Sequence, residues 1–170
     1  MITLQTNELK KTIIIAAFFC CGKTTLYKSN SKYTIIDLDE ILEPKPLGDK
    51  ITVTSIINKE PEYLQKIKEY YKHCDFILLS VKPFLLHLLI KNNLPYILVY
   101  PENTRECRLE WEKRNRDRNT MWIWNACKPA WGYMLNKLNK DYHALKKYTL
   151  SDTQYLSDII DQIYMENNSE

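Results

Sequence analysis

The feature that most constrains this chain is an apolar run that breaks into a short loop and then into a helix-forming segment. Thr12-Ile13-Ile14-Ile15-Ala16 leads into Ala17-Phe18-Phe19-Cys20-Cys21-Gly22-Lys23-Thr24-Thr25. Apart from its first residue, the loop matches the Walker A pattern Gly-x-x-x-x-Gly-Lys-Ser/Thr, in the strand-to-helix setting the pattern requires. The pattern suits a polyphosphate, whose dense charge calls for inward-pointing backbone N–H groups and a cation. Gly22 permits close backbone approach, Lys23 supplies the cation, and Thr24 offers a hydroxyl to Mg²⁺. Ala17, Cys21 and Thr25 complete the candidate nucleotide-binding loop, Cys21 through its backbone. Ala17 stands where the pattern has Gly, and costs more than Gly wherever that position needs φ > 0 or tight contact.

Four runs have the length and punctuation of strands: Thr12 to Ala17, Tyr33 to Leu38, Phe76 to Ser80 and Tyr96 to Tyr100, with a weaker fifth over Ala144 to Leu150. Their continuous apolar character fits strands buried on both faces, as in a parallel sheet. Helical patterns lie between them: Lys23 to Ser29, Pro61 to His73, Pro83 to Asn92, Thr104 to Arg118, a Trp-rich stretch up to Asn139, and Gln154 to Met165. Alternating strands and helices predict an α/β three-layer sandwich with a mostly parallel five-stranded sheet, formed as a single domain over residues 1–170. Glu43 to Asn58, with Pro44, Pro46 and Gly48, reads as an irregular excursion, and Glu166 to Glu170 as a frayed tail.

Bulk properties exclude more than they assign. A formal charge of +3, 45% hydrophobic and 26% charged residues describe an ordinary soluble chain, and a charge so mild does not call for nucleic acid. No apolar run approaches the roughly 20 residues that span a bilayer, so no membrane partner is expected. The first residues lack the basic start and apolar core of a signal peptide. Five cysteines without paired metal spacing read as reduced thiols, which points to the cytoplasm (the host cytoplasm if the chain is viral).

A second candidate site is Ile35-Ile36-Asp37-Leu38-Asp39-Glu40. An apolar strand here delivers carboxylates at its C-terminal end, where open α/β sheets bind ligands. Asp37 and Asp39 share a side while the chain stays extended; they suit Mg²⁺ held through water, or a proton accepted from an attacking hydroxyl. A third is the basic run Arg105, Arg108, Lys113, Arg114, Arg116 and Arg118, with Arg114 and Arg118 aligned at i,i+4. Glu106, Glu110, Glu112 and Asp117 interleave with it, so a solvated charged helix explains the run equally well. Ser80 ends the third strand where many nucleotide-binding chains carry a metal-binding acid. Trp111, Trp122, Trp124 and Trp131 are read mainly as packing residues, and His73, His87 and His143 form no triad or metal pattern.

Strand, Walker A loop, helix and a strand ending in Asp-x-Asp resemble the small P-loop kinases of the adenylate kinase-like and shikimate kinase-like group. The chain is also similar to small uncharacterised P-loop proteins of bacteriophages and bacteria, which share Tyr-Pro (here Tyr100-Pro101) before a basic helix. The resemblance implies a nucleoside/nucleotide kinase-like P-loop NTPase fold and an ATP- and Mg²⁺-dependent phosphotransferase. Gly22, Lys23, Thr24 and Thr25 would hold ATP, Thr24 with Asp37 or Asp39 the metal, and Asp37, assisted by Asp39, the acceptor. A lid over 101–120 would carry Arg114 and Arg118. A nucleoside or nucleotide is the acceptor it implies, with small-metabolite alcohols and a polynucleotide 5′-hydroxyl left open. Two further classes stay open: a nucleotide-binding regulator, and a degenerate P-loop protein without turnover, which Ala17 and Ser80 would suit. Oligomeric state is not legible.

Overall fold

A computed structural model describes residues 11–43 and 59–168. Five strands form one sheet in the order β2-β3-β1-β4-β5, and every neighbouring pair is parallel. The strands are β1 (Ile13–Ala17), β2 (Ile35–Asp37), β3 (Phe76–Ser80), β4 (Ile97–Pro101) and β5 (Lys146–Leu150). β1 and β4 are buried at every position, which is why their sequences carry no polar alternation. β5 closes one edge with exposed Lys146 and Lys147, charges that discourage a further strand from pairing there.

The helices are α1 (Lys23–Ser29), α2 (Leu38–Leu42), α3 (Glu60–Tyr70), α4 (Pro83–Lys91), α5 (Arg105–Asp117), α6 (Met121–Cys127), α7 (Trp131–Asn139) and α8 (Leu156–Asn168). The β1-to-β2 connection runs across the sheet in one direction, and the later connections run in the other. Right-handed crossovers therefore put α1 on one face and α3, α4 and α7 on the opposite face. Packing agrees: α1 lies against α8, α3 against α4, and α7 against β4. β1 sits between β3 and β4, so its carboxyl end opens where neighbouring connections part to opposite faces. Such a crevice is where open α/β sheets take ligands.

The differences from the sequence expectation have local causes. The sheet is wholly rather than mostly parallel. β2 stops at Asp37 because the Asp37 carboxylate accepts from the N–H groups of Asp39 and Glu40 and so starts α2. The Trp-rich stretch divides into α6, a 3-10 turn (Lys128–Ala130) and α7, Pro129 being unable to continue the α-helical bonding. The C-terminal helix continues to Asn168 instead of fraying at Glu166, whose carboxylate accepts from the Tyr148 hydroxyl at 2.5 Å. Most of the excursion expected over Glu43 to Asn58 lies outside the described residues.

Three of the four tryptophans are core residues. Trp131 meets Phe18 edge-on at 5.7 Å, Trp124 at 5.4 Å and Trp111 at 6.2 Å between ring centroids, while Trp122 is exposed. The aromatic cluster lies beneath the residues that follow β1. Leu98, in β4, is wholly buried. Leu98→Ala should cost about 2–5 kcal/mol by loss of apolar contact and a residual cavity, read as a lower urea midpoint at unchanged slope.

Candidate functional site

β1 carries Ala17 in extended pairing, opposite Ser80 of β3 and Val99 of β4. The Phe18 N–H still donates to the Val99 carbonyl at 2.8 Å. The chain then leaves the sheet through two left-handed residues, Cys20 (φ 60°) and Gly22 (φ 90°), and enters α1 at Lys23. Gly22 is required twice over: its φ favours glycine, and a Cβ there would sit 3.2 Å from Tyr155 Cδ1. Ala17 meets neither constraint. It is strand residue rather than turn residue, so a methyl group there is compatible with the loop.

The loop sorts its donors from its acceptors. Lys23 Nζ donates to the Ala17 carbonyl at 3.2 Å and Trp111 Nε1 to the Phe19 carbonyl at 2.8 Å. Arg114 Nη1 lies 3.5 Å from the Cys20 carbonyl. The Leu156 N–H donates to the Cys21 carbonyl at 2.9 Å and the Leu26 N–H to that of Gly22 at 2.9 Å. Among the described residues, the N–H groups of Phe19 through Thr25 donate to no protein acceptor. Successive unspent N–H groups beside a lysine form an anion-binding concavity. Burial pushes the Cys21 thiol up to about 12 and raises that of Cys20, the latter opposed by Arg118, which disfavours the nucleophilic thiolate at both.

Asp37 and Asp39 divide the acidic side between them. Asp37 is wholly buried. Its Oδ1 caps α2, accepting from Asp39 N–H at 3.1 Å and Glu40 N–H at 3.4 Å, and its Oδ2 accepts from Thr24 Oγ1 at 3.1 Å. Burial holds its carboxyl above the usual range; the Asp39 charge adds to the rise and Lys23 opposes it. Asp39 is less enclosed and lies 3.7 Å from Lys23 Nζ through Oδ2. Its Oδ1 accepts from Tyr63 at 3.1 Å and from Ser80 Oγ at 3.4 Å. Burial and the adjoining Asp39 carboxylate keep the Tyr63 phenol protonated and a donor. Lys82, just past β3, pairs with Glu43, which also faces Tyr63. The position expected for a metal-binding acid thus holds a neutral donor, and the carboxylate arrives from α2.

The oxygen set Thr24, Asp37 and Asp39 fits Mg²⁺, which takes one or two carboxylates, substrate phosphates and several waters rather than a protein cage. No cluster of three or more His, Cys, Asp or Glu side chains suited to a metal occurs among the described residues.

The basic run falls on α5, and the structure separates its members. Arg105–Asp117, within the segment read as a lid, is one helix that buries Cys107, Trp111, Arg114 and Asn115. Arg108, Lys113 and Arg116 are exposed and turn to Lys128 O, Glu110 and Glu112. Arg114 and Arg118 both come to the loop, in different ways. Arg114 is buried with its donors spent on protein groups. Arg118 is exposed, 4.0 Å from Cys20 Sγ, and forms no ion pair among the described residues. Thr25 lies in the first turn of α1 with an exposed side chain.

Tyr63, Trp111 and Tyr155 take places at the site that sequence reasoning did not assign. Tyr63 and Tyr155 stand in ordinary helical patterns, and nothing local marks them. A groove of about 720 Å³ between α4 and α7 touches the loop only through Phe18; neither Lys23 nor the carboxylates Asp37 and Asp39 line it. No helix among the described residues is long and apolar enough to cross a membrane. No protein-family model matches the chain, and no curated protein or solved structure is significantly similar to it.

A raised Asp37 pKa makes ionising this group a cost to the ligand-free fold. That cost is absent below the ordinary aspartate value of about 4 and accrues as pH rises through the folded value. Wild type should therefore lose stability relative to Asp37→Asn between about pH 4 and neutrality. Urea unfolding of both proteins across that range checks it; a stability gap independent of pH would show that the buried carboxylate carries no such cost.

Proposed function

We propose that the protein is an ATP-dependent phosphotransferase, a small kinase of P-loop type, acting on a hydroxyl of a nucleoside or comparable small acceptor. The observation that carries this reading is the unspent N–H run from Phe19 to Thr25, with the intervening carbonyls turned away and Lys23 alongside. Such a surface is complementary to the β- and γ-phosphates of a nucleotide, and loop chemistry of this kind works by positioning and charge stabilisation. The parallel sheet, with the loop at the switch in connection direction, supports the P-loop kinase-like fold.

The side chains then take separate roles. Lys23 exchanges the Ala17 carbonyl for phosphate oxygens. Thr24 and Asp37 are the residues that would hold Mg²⁺, which would supply neutralisation of phosphate charge there. Asp39 faces the acceptor. It is the more accessible carboxylate, 3.7 Å from Lys23, and Tyr63 and Ser80 fix its orientation, so it suits binding an attacking hydroxyl and taking up its proton. The sequence-based assignment of the acceptor role to Asp37 passes to Asp39, because Asp37 is wholly buried as the cap of α2 while Asp39 is partly exposed. Arg118 is the exposed cation available to the transferring group.

The test is transfer from γ-labelled ATP to a panel of nucleosides, nucleotides, small alcohols and short DNA or RNA 5′ ends. Lys23→Ala should abolish transfer and weaken ATP binding. Asp39→Asn should lower kcat by about 10²–10⁴, the usual weight of a general base, with ATP affinity retained. Tight ATP binding without labelling of any acceptor would reduce the loop to a binding site; ATP binding indifferent to Lys23→Ala would remove the reading altogether.

A further inference from the structure

Arg114 belongs to a part of the site that the proposed chemistry does not use. It is 5% exposed, and its guanidinium lies over two rings, 4.2 Å from the centroid of Trp111 and 3.9 Å from that of Tyr155. Nη2 donates to the carbonyls of Asp152 at 2.7 Å and Gln154 at 3.1 Å, Nη1 faces the Cys20 carbonyl, and Nε faces Glu110. The contact to Cys20 is long, so the grip rests on the turn at 152–156. That turn is itself fastened to the loop: the Leu156 N–H holds the Cys21 carbonyl, and Tyr155 covers Gly22 where a Cβ would be.

We propose that Arg114 is a positioning residue: held over the rings of Trp111 and Tyr155, it locks the 152–156 turn against the loop, and so fixes the amides of Cys20 to Thr25 for an oxyanion it never touches. The inference rests on the reading of the loop as a polyphosphate site. Cys20 is left-handed without being glycine, a conformation that persists only where the surroundings impose it. Arg114 joins α5 to both the loop and the turn. A lysine cannot replace it, because one ammonium neither stacks on two rings nor forks to carbonyls on different segments.

The test is calorimetric titration with pyrophosphate, paired with backbone amide NMR of Gly22 to Thr25, on wild type, Arg114→Lys and Arg114→Ala. Both variants should bind at least tenfold more weakly, and the ligand-induced amide shifts should shrink. Methylguanidinium should restore binding to Arg114→Ala, which general loss of stability would not allow. If Arg114→Ala fails to fold, Arg114→Lys decides. Pyrophosphate binding by Arg114→Lys within threefold of wild type, with the same amide shifts, overturns the positioning role and leaves the loop reading standing. Absence of pyrophosphate binding by wild type removes the loop reading, and this inference with it. Once an acceptor is known, Arg114→Lys should raise KM for ATP with kcat within threefold. A fall in kcat at unchanged KM would place the guanidinium on the reacting phosphate and overturn the proposal.

Discussion

Backbone amides can cradle an anion only where the carbonyls of the same peptides are held elsewhere, since each peptide carries a donor and an acceptor on opposite edges. The loop after β1 meets that condition from several directions at once. Lys23 takes the first carbonyl, Trp111 and Arg114 take two from α5, and the N-terminal residue of α8 takes another. Remote segments of the chain are therefore part of the loop. An isolated nonapeptide of this sequence would have no reason to keep Cys20 left-handed or its carbonyls outward.

This dependence explains what could and could not be read from the sequence. β1, β3, α1 and α4 were legible almost to the residue, because apolar runs bounded by Gly22, Ser80 and Pro83 are local signals. The loop motif was legible for the same reason: Gly22, Lys23 and Thr24 are adjacent. Ala17 looked like a defect only because the pattern is written without a backbone; in place it is the last residue of a parallel strand, paired on both sides. Arg114 and Arg118 illustrate the opposite case. An i,i+4 pair should share a helix face, and both do reach the loop, yet one is buried against rings and the other stays in solvent. The ring that separates their fates is Tyr155, forty-odd residues away in sequence, so no local pattern marks it.

The carboxylates follow a similar division. Asp37 and Asp39 look interchangeable as Asp-x-Asp, but α2 begins between them. The first becomes an N-cap, whose oxygen must stay on backbone N–H groups to keep the helix start. The second falls in the first helical turn and turns toward Lys23. Helix initiation thus makes one acid a buried cap and leaves the other the more accessible, a distinction the extended-chain reading of the pair could not make.

The same constraint explains the serine at the end of β3. Ser80 Oγ lies 3.4 Å from Asp39 Oδ1, and the buried Asp37 is close by on β2. An aspartate at position 80 would bring a third negative charge into this partly enclosed space. Like charges about 4 Å apart repel by about 4 kcal/mol at an effective dielectric of 20, so one of the three would be driven to protonate. With serine, Asp39 gains a hydrogen-bond donor at the end of β3 in place of a further like charge. A neutral residue at the end of β3 is thus the counterpart of an acidic helix start after β2.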